Sequence, residues 1–195
     1  MAALPHNPTQ ELKSVLAEHL PWHGARLSFL AHCLLALIKV RSVNLAELAT
    51  GFGGSAKIES HYQRLQRFFR SFALDYASLA RLLVRWVPVG EGPWYLTLDR
   101  TNGQFGKADL NLLVLGIAHH GIALPIFWTV LDKAGHSNTA ERMALLQRFL
   151  TVFGVETIAA LLADRECVGE DGFTWLQQPR IPFHQRIVQQ YFCKC

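Results

Sequence analysis

Between Pro88 and Pro93 the chain packs two prolines and two glycines into six residues (PVGEGP), and the hydrophobic period changes across them. Proline supplies no amide donor and glycine supplies conformational freedom, so no regular element runs through such a cluster. Apolar residues upstream recur about every 3.6 positions; downstream they come as short strand-like runs. This predicts a helical region over residues 1–90 and a mixed α/β region over residues 91–195. A length of 195 residues suits one ordinary domain, or a small one followed by part of a larger one. Half the residues are apolar and 17% are charged, which provides for a buried core and excludes a disordered chain.

In the front region, Leu27, Leu30, Leu34, Leu37 and Ile38 lie at helical spacing, with a break at Ser42. Asn44 followed by Glu47 predicts a capping box opening a short helix that Gly51, Gly53 and Gly54 stop, after which Ser55 is placed to start the next. Over Ala56–Phe72, Tyr62, Leu65, Phe68, Phe69 and Phe72 predict a packing face. Lys57, Arg64, Arg67 and Arg70 predict a basic face, for solvent or for phosphate. A short helix, a glycine turn and a longer basic helix outline a helix-turn-helix. Residues 1–90 hold ten Lys/Arg against five Asp/Glu, whereas residues 91–195 hold nine against ten, so a polyanion would be gripped from the front. Residues 75–87 predict a further helix.

Behind the boundary, Trp94–Leu98 reads as a strand running into Asp99. Leu110–Leu131 has no charged residue over 22 positions, long enough for a membrane span. His119, His120 and Gly121 interrupt it, with β-formers on both sides, and a hairpin is the expected outcome. A helix from Asn138 to about Phe153, a strand over 157–163 ending in Asp164, a helix near 170–178 and a strand over 182–188 give the order β-β-β-α-β-α-β. That is a mixed sheet.

Asp99 and Asp164 each follow an apolar run and each precede an arginine (Arg100, Arg165). A strand-end aspartate commonly starts a turn or caps a helix. If the two strands lie side by side, the carboxylates instead converge, and an oxygen-only pair suits Mg²⁺ or Mn²⁺. Two such ions would activate a hydroxyl or water and stabilise the leaving oxygen in an attack on a phosphodiester.

These segments carry a resemblance. Leu98-Asp99-Arg100-Thr101-Asn102, Gly135-His136-Ser137-Asn138-Thr139 with Glu141-Arg142, and Leu162-Ala163-Asp164-Arg165-Glu166 with Gly169 together resemble DDE transposases of the insertion-sequence four group. Ser42-Val43-Asn44-Leu45, Glu59-Ser60 and Arg64–Phe69 are similar to that family's helical N-terminal region. The resemblance implies a ribonuclease-H-like core, Mg²⁺ or Mn²⁺ on two aspartates and a glutamate, and double-stranded DNA partners at transposon ends and target. It also implies dimers, of this chain or with a full-length transposase. Asp99 and Asp164 would be the first two acids, with Arg100, Arg165 and Glu166 auxiliary near phosphate or metal, and Lys57, Arg64, Arg67 and Arg70 on the DNA. Gly103, Cys167 and Gly172 stand where the family has large aromatic residues. The family's third acid lies beyond a longer C-terminal region, so the expectation is a sheet and catalytic core truncated before it, with impaired or no catalysis. Glu166, Glu170 and Asp171 are the local candidates for a substitute third acid. The alternative is a non-catalytic DNA-binding or regulatory remnant.

Four cysteines without a secretory signal at the N-terminus predict a reduced, cytoplasmic chain of the bacterial, nucleoid-associated kind. Cys193 and Cys195 with His184 fit no standard zinc spacing.

Overall fold

The structure is a computed structural model and describes residues 7–105, 108–133, 137–164 and 180–186. The chain divides into two compact units, Met1–Leu82 and Leu83–Cys195.

The first unit is helical. Helices α1 (Pro8–His19), α2 (Gly24–Val40), α3 (Leu45–Gly51) and α4 (Ile58–Ser71) are followed by α5 (Tyr76–Trp86), whose first turns belong to it. Helix α2 is apolar on two sides and therefore serves two clusters. Leu27 and Ala31 pack with Leu16, Leu20 and Leu82; Phe29, Cys33 and Ala36 pack with Leu48, Ala49, Phe52 and Leu65. Each fully buried leucine contributes about 1.5–3 kcal/mol. Helix α3 fits because Gly51 has no side chain: a Cβ there would lie 2.6 Å from Val40 Cγ2 and 2.9 Å from Ala36 Cβ. Gly51 thus sets how closely α3 approaches α2, besides ending the helix.

Three local expectations are corrected. Asn44 caps α3 by accepting from the Ala46 amide at 2.9 Å, while its own amide donates to Ser42 Oγ at 3.2 Å. Ser42 thereby takes the role expected of Glu47. Helix α4 starts after Lys57, without a side-chain cap, rather than at Ser55. Phe69 is 54% exposed although it lies at helical spacing from Leu65 and Phe72. Burial raises the Cys33 thiol pKa above its ordinary value, so this cysteine is a packing residue.

His61 is buried against Phe52, 5.1 Å between ring centroids, and neither ring nitrogen has a hydrogen-bond partner among the described residues. An unpaired buried polar group costs about 1–3 kcal/mol. His61→Leu is therefore expected to raise the thermal midpoint, by the equivalent of about 1–2 kcal/mol; a lower midpoint by calorimetry would contradict this packing.

The second unit is built on a five-stranded sheet ordered β3-β2-β1-β4-β5 among the described residues. Strands β1 (Trp94–Phe105), β2 (Ala108–His119) and β3 (Ile122–Val130) form an antiparallel meander. Strands β4 (Ile158–Asp164) and β5 (Phe183–Arg186) run parallel to β1. The uncharged run at 110–131 is thus mostly β2 and β3, closed by the two-residue turn His120-Gly121 with both φ values positive (47° and 81°), as a tight hairpin requires. Among the described residues no single helix is long and apolar enough to cross a membrane. Gly116 is needed where β2 meets β3: a Cβ would stand 2.8 Å from the Leu124 carbonyl oxygen.

Helix α6 (Thr139–Phe153) links β3 to β4 through a 3-10 turn, Val155–Thr157. Its Phe149 and Phe153 meet Trp94 of β1 and Phe127 of β3 edge to face, covering the face that carries Leu96, Leu98, Leu113 and Leu115. The expected helix near 170–178 lies outside the described residues.

A reciprocal capping box does occur, at the start of α6: Asn138 Oδ1 accepts from the Glu141 amide at 2.8 Å, and Glu141 Oε2 accepts from the Asn138 amide at 2.7 Å. Lys133 Nζ lies 2.9 Å from Glu141 Oε1. Burial pushes the Glu141 pKa up, but the bond from Lys133, the Asn138 amide and the Lys133 and Arg142 charges outweigh it and hold the carboxyl below its ordinary value. A depressed carboxyl stabilises the fold above the unfolded-chain pKa and loses that contribution as pH falls through the folded one. The difference in thermal midpoint between the natural chain and Glu141→Gln should therefore be constant near neutrality and shrink below about pH 4; a pH-independent difference would contradict it.

Candidate active site

Strands β1 and β4 pair in parallel register as Leu96↔Leu161, Thr97↔Leu162 and Leu98↔Ala163. Leu96, Leu98, Leu161 and Ala163 are buried, which fixes the face that each strand turns to the core. The next residue on each strand is an aspartate, Asp99 on β1 and Asp164 on β4. Their backbones stand one rung past the last pair and at the same parity, on strands about 5 Å apart. Sequence patterning alone offered only the conditional form of this juxtaposition.

The surroundings differ in one respect from expectation. Asp99 does not end its strand: β1 continues to Phe105, paired with β2 as far as Phe105↔Ala108. The polar stretch from Asp99 to Gln104 remains strand because β2 satisfies its backbone on one side. What ends near Asp99 is the β4 pairing, since β4 reaches only Asp164. Asp99 is exposed, and its Oδ1 accepts from the Arg100 amide at 2.7 Å.

Alternation along β1 sends Arg100 to the opposite side from Asp99, where its Nη1 donates to Asn102 Oδ1 at 3.1 Å. Arg165 and Glu166, and with them Glu170 and Asp171, lie outside the described residues. Lys57, Arg64, Arg67 and Arg70 are exposed at the start of α4 and along it, in the first unit. Arg64 rests over the Phe29 ring, 5.3 Å from its centroid. No group of three or more His, Cys, Asp or Glu side chains suited to a metal ion is gathered among the described residues.

Two features escaped the sequence. Arg186 of β5 is in register with Asp164, which extends the row of chemistry-bearing positions to a third strand; only the pairing of β5 reveals it. Along the far half of β1 opens a cleft of about 730 Å³ lined by polar residues including Asn102, Gln104, Asp109 and Asn111. Gln104 Nε2 donates to Asp109 Oδ1 at 3.0 Å, and Asn111 Nδ2 to the Lys133 carbonyl at 2.9 Å. The cleft was hidden because β1 was expected to stop at Asp99.

No protein-family model and no curated protein matches the chain. Among solved structures, one is described as the simian T-cell lymphotropic virus intasome in complex with the PP2A regulatory subunit B56 gamma. It aligns with a TM-score of 0.40 and 13% identity over 65% of this chain and 48% of the matched one. The chain therefore spans about half the length of the protein it matches.

Proposed function

We propose that the chain is of DDE-transposase type, resembling the insertion-sequence four group, and acts on double-stranded DNA with Asp99 and Asp164 as two acids of a Mg²⁺ or Mn²⁺ site. The observation that carries this reading is the placement of the two aspartates at matching positions on adjacent parallel strands. The meander followed by two strands parallel to β1 supports a ribonuclease-H-like core. The donor set fits the ion: two carboxylates, with Asp99 exposed, are hard oxygen ligands of the kind that Mg²⁺ takes in ones and twos alongside water and phosphate. When bound, such ions supply Lewis-acid stabilisation and an activated oxygen nucleophile for phosphodiester attack. The chain's own contribution is to fix two carboxylates on a packed sheet, with Leu98 and Ala163 buried immediately before them. A third acid is not assigned to any residue.

The test is incubation of purified chain with linear duplex DNA in Mg²⁺, Mn²⁺ or EDTA, with salt-titrated binding in parallel. The reading expects duplex binding that weakens steeply with salt and slow nicking confined to the metal-containing reactions. Nicking in EDTA, or no duplex binding, would contradict it. The exposed basic side chains Lys57, Arg64, Arg67 and Arg70 favour a second reading, a non-catalytic DNA-binding module, which expects binding without any metal-dependent nicking.

A further inference from the structure

We propose that Gln63 reads an A·T base pair in the DNA major groove, with Arg67 and Arg70 holding the flanking backbone; this rests on the reading of the chain as a duplex-DNA binder. Helix α4 has a clear inside and outside. His61 and Leu65 are buried, Phe68 is half-buried, and Glu59, Ser60, Gln63, Arg67 and Arg70 are exposed. Positions 59, 63, 67 and 70 fall on one line at i, i+4, i+8 and i+11, with Glu59 one turn before Gln63 and the two arginines after it.

Two neighbouring polar side chains on the helix are engaged. Gln66 Nε2 donates to the Tyr62 hydroxyl at 2.9 Å, and Arg64 is stacked on Phe29. Gln63 has no hydrogen bond among the described residues, so its amide is available as a donor and acceptor pair. Beside it lies a notch of about 390 Å³, lined by Gln63 together with Ala46 of α3 and Ile58, Glu59, Tyr62 and Gln66 of α4, with Ile58 52% exposed.

The chemistry of that corner selects a base pair. A glutamine amide matches adenine N6 and N7 bidentately, and an apolar side chain beside it matches the C5-methyl of the paired thymine. Two arginines further along the same line match phosphates. A B-form major groove admits an α-helix, whereas the major groove of A-form RNA is too deep and narrow for it, so a duplex read by this helix is DNA.

The test uses the full chain and a randomised DNA duplex pool, selected for binding and sequenced, with Gln63→Ala, Gln63→Glu and Arg70→Ala alongside. Matching circular dichroism melts confirm that each exposed-site variant is folded. The natural chain should enrich an A·T pair at one position, preferring it about tenfold over the others. Gln63→Ala should lose preference at that position alone while its affinity for the unselected pool stays within about twofold. Gln63→Glu should move the preference toward cytosine, whose N4 donates to a carboxylate. Arg70→Ala should weaken binding to all sequences and flatten the logarithmic salt slope by about 0.9. An unchanged motif in Gln63→Ala, a pool that binds with no motif, or equal competition by duplex RNA would overturn the assignment of Gln63 while leaving duplex binding intact. Failure to bind the pool at all would overturn the reading beneath it.

Discussion

Asp99→Asn and Asp164→Asn are each expected to slow metal-dependent nicking of duplex DNA by about 100-fold or more. Charge stabilisation by a bound divalent ion is worth several kcal/mol, and each 1.36 kcal/mol is a factor of ten in rate. An amide keeps the size and the backbone position of the side chain and removes its negative charge, so loss of activity with an unchanged melting curve would report the ligand role. The two changes should be strongly non-additive, because either one disables the same ion site. Duplex binding should survive both, since Lys57, Arg64, Arg67 and Arg70 belong to the other unit. Nicking that persists in the double variant would remove the aspartates from the chemistry.

Phe149→Ala carries the largest expected effect on stability, about 3–5 kcal/mol. Phe149 is fully buried, and its ring lies 4.9 Å from Phe153, 6.3 Å from Trp94 and 6.4 Å from Phe127 between centroids. Truncation leaves a cavity under α6 and removes aromatic contacts to two strands at once, β1 and β3. The midpoint of this unit should drop by more than about 10 °C, whereas Phe149→Leu, which refills most of the space, should cost far less. The consequence reaches the site: α6 covers the sheet face opposite Asp99, and loosening it should weaken metal binding even with both aspartates intact. Equal stability of Phe149→Ala and the natural chain would mean that α6 does not hold the sheet.

Some of this was readable from the residues and some was not. The turn at His120-Gly121 was legible because polar and glycine residues broke an apolar run flanked by β-formers. Helix α6 was legible from Asn138 and Glu141, whose spacing matches the capping box they form. The same pattern at Asn44 and Glu47 misled, since Ser42, outside the pattern, reached the Asn44 amide first. Strand β1 was read too short because its second half is polar on both faces, and a two-stranded extension is held by pairing with β2 rather than by burial. The neighbourhood of Asp99 and Asp164 depends on strand order, a non-local property that no residue window carries. The apolar runs before each aspartate marked them as candidates; the parallel pairing of β1 with β4 placed them one rung past the same last pair.

Titration of the purified chain with Mn²⁺, followed by electron paramagnetic resonance of the free ion, tests the assignment of Asp99 and Asp164 most directly, because it needs neither DNA nor turnover. The account predicts saturable Mn²⁺ binding that Mg²⁺ competes away and that falls at least about tenfold in affinity in Asp99→Asn and in Asp164→Asn alike. Mn²⁺ binding of the same strength in the chain lacking both carboxylates would contradict it.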